Sequence, residues 1–265
     1  MYAFGYHKAQ SLDDAAERLA VSDEAQLLAG GMTLIPTLKQ RLAMPEALID
    51  LGGVDQLRGI CEDDQGRLAI GAMTTHAAVA GSAEIQSKIP ALACLAAGIG
   101  DPQVRNRGTL GGSIANADPA SDYPGGVLGL GATVTTQKRQ IPADEFFLDL
   151  FDTALDQGEI ITHVSFPVPQ AAGYAKFPNP ASRYAIVGVF VARFADSVRV
   201  AVTGAGPCAF RIAEMEQALS DDFRPEAVAS VKASPEGLNA DLHASADYRA
   251  HLITVMAKRA VANAV

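Results

Sequence analysis

Glycine is crowded into one stretch of this chain. Nine of its 24 glycines fall within residues 98–131, where even spreading over 265 residues would put about three. Within that stretch lies Arg105-Asn-Arg-Gly-Thr-Leu-Gly-Gly-Ser113. Glycine reaches backbone angles closed to other residues, so Gly111-Gly112 can turn successive N–H groups into one concavity, a ready anion site. Thr109 and Ser113 can add hydroxyl donors. A second pair, Gly30-Gly31, follows the apolar run Ala25–Ala29 and precedes helical spacing, with Thr33 close by, which suits an anion at a helix start. Taken singly, either pair is more simply a structural turn. Two such loops in one chain fit a diphosphate-bearing cofactor better than a lone phosphate.

Neither loop belongs to the commonest nucleotide motifs. Gly30 to Lys39 lacks the GK[ST] ending of a Walker A loop, and no GxGxxG is present. A bound dinucleotide would therefore need another fold. Composition narrows the field further. A hydrophobic share of 49% with 19% charged residues excludes a disordered chain, and a net charge of −9 argues against nucleic-acid or anionic-membrane binding. Cys61, Cys94 and Cys208 form no CxxC pattern and read as small buried hydrophobes. The five histidines share no metal-ligand spacing, and His76 receives no role. No nucleophile, general base or metal ligand is expected. No signal-peptide pattern opens the chain and its apolar runs are too short to span a bilayer, so a cytoplasmic protein without a transmembrane segment is expected.

Periodicity predicts helices at 11–19, with Ser11 as N-cap, at 34–42, 76–82, 89–99, 225–231 and 246–264, and strands at 25–29, 47–51, 67–71, 159–167, 184–194 and 198–204. Gly100–Pro124 has almost no periodicity and reads as a long ordered functional loop, and Gln170–Pro180 reads as a boundary.

The order of several blocks then becomes specific. Leu27-Leu-Ala-Gly-Gly-Met-Thr-Leu-Ile-Pro36, Gly71-Ala-Met-Thr-Thr-His76 and Gly100-Asp-Pro-Gln-Val-Arg-Asn-Arg-Gly-Thr-Leu-Gly-Gly-Ser-Ile-Ala-Asn-Ala-Asp-Pro-Ala-Ser-Asp122 follow in that order. The chain resembles the FAD-binding (medium) subunits of the molybdenum hydroxylases, the group that includes the medium chain of carbon monoxide dehydrogenase and the flavin domain of xanthine dehydrogenase. The resemblance runs over nearly the whole chain.

The resemblance implies an α+β protein with the FAD-binding fold of the vanillyl-alcohol-oxidase (PCMH) type. Two α+β subdomains, 1–55 and 56–169, would clasp FAD, and a C-terminal α+β domain would occupy 170–265. It places one pyrophosphate loop on Ala29, Gly30, Gly31, Met32 and Thr33, and the other on Thr109, Leu110, Gly111, Gly112 and Ser113. Asp122 would contact the adenosine end of FAD, Ile161 would supply an apolar contact, Lys176 would lie on the flavin side, and Tyr184 would lie against the ring. Met32 departs from the polar residue usual at its position, which implies one hydrogen bond fewer. The implied role is electron transfer. A small partner with [2Fe–2S] clusters would deliver electrons to FAD, a large molybdopterin partner would oxidise the substrate, and a quinone, NAD or oxygen would drain the flavin. The assembly would be a heterotrimer or its dimer. A self-sufficient flavin oxidoreductase of the same fold, and an assembly subunit that has lost FAD, are the competing expectations. On the residues alone, Asp118 and Asp122 read equally as helix caps, Tyr184 as core, Lys176 as a solvated surface lysine, and Arg105 and Arg107 as partners of surplus carboxylates.

Overall fold

The computed structural model describes all 265 residues. Its first sheet is parallel, with β1 (Gly5–Lys8), β2 (Ala25–Leu28) and β3 (Ala47–Asp50) in the order β1-β3-β2. Parallel neighbours need crossovers, and helices α1 (Leu12–Leu19) and α2 (Leu34–Lys39) provide them. Ser11 caps α1 by accepting from the Asp14 N–H, as expected. β1 had no sequence signal, because its residues Gly-Tyr-His-Lys sit at a mostly exposed sheet edge and carry no apolar alternation.

The middle of the chain builds an antiparallel sheet in the order β4 (Ile60–Glu62), β5 (Leu68–Gly71), β10 (Ile161–Phe166), β6 (Thr133–Thr136) and β7 (Gln140–Pro142). Between β5 and β6 run six helices: α3 (His76–Gly81), α4 (Ala83–Lys88), α5 (Pro90–Ala97), α6 (Pro102–Arg107), α7 (Leu110–Asn116) and α8 (Asp122–Gly129). A short α9 (Ala143–Phe146) and a hairpin of β8 (Phe147–Asp149) and β9 (Asp152–Thr153) lead to β10. Leu92, Leu95, Val127, Phe146, Val164 and Phe166 belong to the core between these helices and the sheet.

The expected loop at Gly100–Pro124 is therefore corrected to α6, α7 and the start of α8. α6 buries none of its residues, α7 carries two glycines, and α8 is buried on every side, so none of them shows the one apolar face that marks α1. Their caps were visible in the sequence: Asp101 accepts from Val104 N–H ahead of Pro102, and Thr109 accepts from Gly112 N–H.

The last sheet is a meander of β11 (Ala171–Pro178), β12 (Ala185–Arg193), β13 (Val198–Thr203) and β14 (Phe210–Arg211), with helices α10 (Ala213–Asp221) and α11 (Ala246–Ala262). Gln170–Pro180, read as a boundary, is mostly β11. That strand lies at the sheet edge, and its proline sits at its last position, where no internal ladder bond is lost. The expected helix at Pro225–Val231 is also corrected. Ala227, Ala229 and Val231 each bond the carbonyl three residues back, giving tight turns rather than an α-helix. No helix is long and apolar enough to cross a membrane.

The middle and last sheets are joined beneath residues 117–122. Gly204 N–H donates to Pro119 O at 2.7 Å, Ala185 N–H to Ala120 O at 3.0 Å, and Thr203 Oγ1 to Ser121 O at 2.6 Å. The segment that follows α7 is thus fixed to the C-terminal sheet before α8 begins. The cysteines overturn their expectation: Cys61 and Cys94 are exposed and Cys208 is half-buried, so apolar sequence neighbours did not mean burial.

Candidate functional site

β2 ends at Leu28, and Ala29-Gly-Gly-Met-Thr33 leads into α2. Gly31 adopts φ +73°, where an L-side chain is strained. None of the six consecutive N–H groups from Ala29 to Leu34 donates to a backbone acceptor, although Ile35 N–H already bonds Gly31 O. A run of unpaired donors on a partly exposed turn is stable where water or an anion satisfies it. Met32 and Thr33 are exposed, so solvent reaches this turn.

The second loop is built differently. Leu110 N–H donates to Thr74 O at 3.1 Å and Gly111 N–H to Ala72 O at 2.8 Å. Gly112 N–H donates to Thr109 Oγ1 at 3.1 Å and Ser113 N–H to Thr109 O at 3.0 Å. The reading of Gly111-Gly112 as a run of free donors is corrected, since the protein itself engages them. Its glycines serve close packing instead: a Cβ on Gly111 would lie 2.5 Å from Ala72 Cβ. The two loops nevertheless meet. A Cβ on Gly30 would fall 2.1 Å from Arg107 O, and one on Gly112 would lie 3.3 Å from Ala29 Cβ.

A second cluster forms around Asp122, the buried first residue of α8. Its Oδ1 accepts from the Tyr174 hydroxyl at 2.5 Å and lies 2.8 Å from Lys176 Nζ. Burial pushes the Asp122 carboxyl up, and the Lys176 ammonium and Tyr174 hydroxyl pull it back. Lys176 Nζ also donates to Gly98 O and Arg183 O, both at 2.9 Å, which engages all three protons. Lys176 is therefore no solvated surface lysine. Asp122 and Lys176, assigned by the resemblance to opposite ends of FAD, are in direct contact.

Tyr184 is 40% exposed, which corrects its reading as a core residue. Partial burial and the nearby Asp118 carboxylate push its phenol up. Beside it opens a pocket of about 300 Å³ lined by Asp118, Asn179, Tyr184, Asn239, Asp241 and Arg249, among others. Arg249 is buried, donates to Ile186 O at 2.6 Å and Gly204 O at 2.9 Å, and pairs with Asp241 at 2.7 Å. Ile161 is buried in the core at the head of β10. Its neighbour Thr162 accepts from Ala72 N–H, and Ala72 in turn accepts from Gly111 N–H.

Sequence reasoning passed over His76. Its ring lies under the second loop, where a Cβ on Gly108 would come 2.5 Å from Nε2, and 5.3 Å from the Tyr123 ring between centroids. Neither His76 Nδ1 nor the Tyr123 hydroxyl has a protein partner. Burial, helped by the Arg105 charge, lowers the His76 pKa to about 4. Arg105 pairs with no carboxylate and closes the turn before α6 by donating to Ile99 O and Gly100 O, both at 2.9 Å. No sequence signal links His76 to Gly108, because the contact is made by folding.

Residues 2–169 match the family described as the FAD binding domain in molybdopterin dehydrogenase, more than half of the chain. The chain belongs to this family. Among relatives, it is 35% identical to the nicotine 6-hydroxylase medium subunit of Paenarthrobacter nicotinovorans, covering 99% of this chain and 97% of that one. It is 34% identical to the carbon monoxide dehydrogenase medium chain of Hydrogenophaga pseudoflava, over 97% and 96% of the two chains. Among solved structures, a chain of reconstituted CO dehydrogenase from Oligotropha carboxidovorans superposes with a TM-score of 0.89, 31% identity and coverage of 99% and 97%. The local geometry suits the family's cofactor. The unpaired donors at Ala29–Leu34, beside a glycine that cannot carry a Cβ, are groups that an anion such as a diphosphate would satisfy.

Proposed function

We propose that this chain is the FAD-bearing electron-transfer subunit of a molybdenum hydroxylase complex. The observation that carries the reading is the run of unpaired N–H groups from Ala29 to Leu34, held against the Arg107 carbonyl by Gly30. When bound, FAD supplies the redox chemistry, exchanging electrons singly or in pairs.

The chain's own residues bind and orient. The Ala29–Leu34 donors would face the diphosphate, and the second loop would hold them in place and add the Ser113 hydroxyl. Met32 lacks a polar side chain, but its backbone N–H is among the unpaired donors, which supports retention of FAD. In this reading Tyr184 meets the ring end of the cofactor, and Asp122, Tyr174 and Lys176 act as one unit. Three acceptors hold the Lys176 side chain in one position. Ile161 backs the second loop from β10.

The relatives' names, medium subunit and medium chain, support partners. We infer a small [2Fe–2S] subunit that gives electrons to FAD and a large molybdopterin subunit that oxidises the substrate, in a heterotrimer or its dimer. Three cysteines that form no disulfide fit a reducing cytoplasm. The test is anaerobic reduction of the assembled complex. Substrate should bleach the flavin absorbance only when the small and large subunits are both present. Bleaching by the same substrate in the isolated chain would favour a self-sufficient flavoenzyme.

A further inference from the structure

The β8–β9 hairpin projects three large apolar side chains into solvent. Leu148 and Leu150 are each 55% exposed and Phe151 is 57% exposed. Its base is rigid. Phe146 is fully buried, its ring meets that of Phe147 edge-on at 5.0 Å, and Ala154 N–H closes onto Phe146 O at 2.9 Å. At the tip, Phe151 holds φ +54°, a conformation that favours glycine. An aromatic ring is thus kept exposed at a strained position where glycine would relieve both costs, which marks a functional site.

The charges around the tip are one-sided. Between Arg139 and Lys176 the chain carries no Lys or Arg. Asp144 is paired with Arg199 and Arg211, and Asp156 and Glu159 with Arg139. Glu145, Asp149 and Asp152 have no such partner and are exposed. A second copy of this chain docking tip to tip would bring three unpaired carboxylates from each copy together, which like-charge repulsion opposes.

We propose that this hairpin is a docking element for another subunit of the complex, whose surface offers an apolar cleft with a rim of Lys and Arg. Phe151 and Leu150 fill the cleft, and Glu145, Asp149 and Asp152 meet the rim. The proposal rests on the reading of this chain as a subunit.

The test co-expresses the chain with the small and large subunits and compares wild type with Phe151→Gly, Leu150→Asp and Asp149→Lys/Asp152→Lys. Each variant chain alone should keep its FAD content and melting temperature. Assembly measured by size-exclusion chromatography and native mass should weaken at least about tenfold. Wild-type assembly should also weaken with added salt. Wild-type assembly retained by Leu150→Asp overturns the hairpin proposal and leaves the subunit reading intact. So does loss of FAD from the isolated variants, which would place the hairpin in the cofactor site, or a wild-type homodimer that Leu150→Asp dissolves. A wild-type chain that joins neither subunit overturns both.

Discussion

Gly30 lies so close to Arg107 that a Cβ on Gly30 would come within 2.1 Å of the Arg107 carbonyl oxygen. This contact is between two backbones, so no rotamer change can relieve it. It clamps the loop of unpaired donors onto the end of α6. Gly30→Ala should therefore separate the loops and lower FAD affinity by at least about tenfold, with overpacking of about 1–3 kcal/mol in stability. Gly112→Ala should do less, because its added Cβ would meet the Thr109 hydroxyl at 2.9 Å, a side-chain atom able to shift. Equilibrium titration with FAD ranks the two variants. The opposite ranking would show that the second loop, and not the first, is the cradle.

The Asp122–Lys176 pair should behave as a buried ion pair. Lys176→Met leaves a buried carboxylate facing only the Tyr174 hydroxyl, which should cost about 3–5 kcal/mol in urea unfolding. Adding Asp122→Asn removes the stranded charge and should recover much of that loss. A single variant as stable as wild type would mean that water already screens the pair.

Acid sensitivity should show two windows. His76 is held neutral by burial, its pKa lowered from 6.5 to about 4. The unfolded chain therefore takes up a proton that the folded chain refuses, and stability is lost as pH falls from about 6.5 towards 4, by about 3 kcal/mol. Glu159 is lowered from 4.5 to about 2, first by hydrogen bonds from Arg139, with help from Asp156 N–H and Thr136. Its contribution is complete above about 4.5 and is lost as pH falls towards 2. Arg139 is exposed, so solvent screening makes the loss smaller than the full pKa shift of Glu159 implies. Denaturant midpoints across pH 3–7 check this: His76→Gln should flatten the upper window alone, and Glu159→Gln the lower.

How much the sequence disclosed depended on whether a feature was local. Ser11, Gly30-Gly31 and the strands at 185–193 and 198–203 carried their own signals, a cap, a turn and an apolar run. The family resemblance located both glycine loops, yet residue types could not tell that the first loop leaves its donors unpaired while Thr74, Ala72 and Thr109 engage those of the second. Lys176 looked like a surface lysine because its acceptors, Asp122, Gly98 and Arg183, lie on other elements. Helices α6 to α8 escaped the periodicity because α6 buries no residue, α7 is interrupted by two glycines, and α8 is buried all round, so none has one apolar face. Their caps at Asp101 and Thr109 were the readable trace.

The most direct test of the account is the flavin content of the purified chain. It should absorb at about 450 nm and release about one FAD per chain on denaturation, and the Gly30→Ala chain should hold far less. A folded wild-type chain that is colourless and takes up no FAD on incubation would contradict the account at its centre.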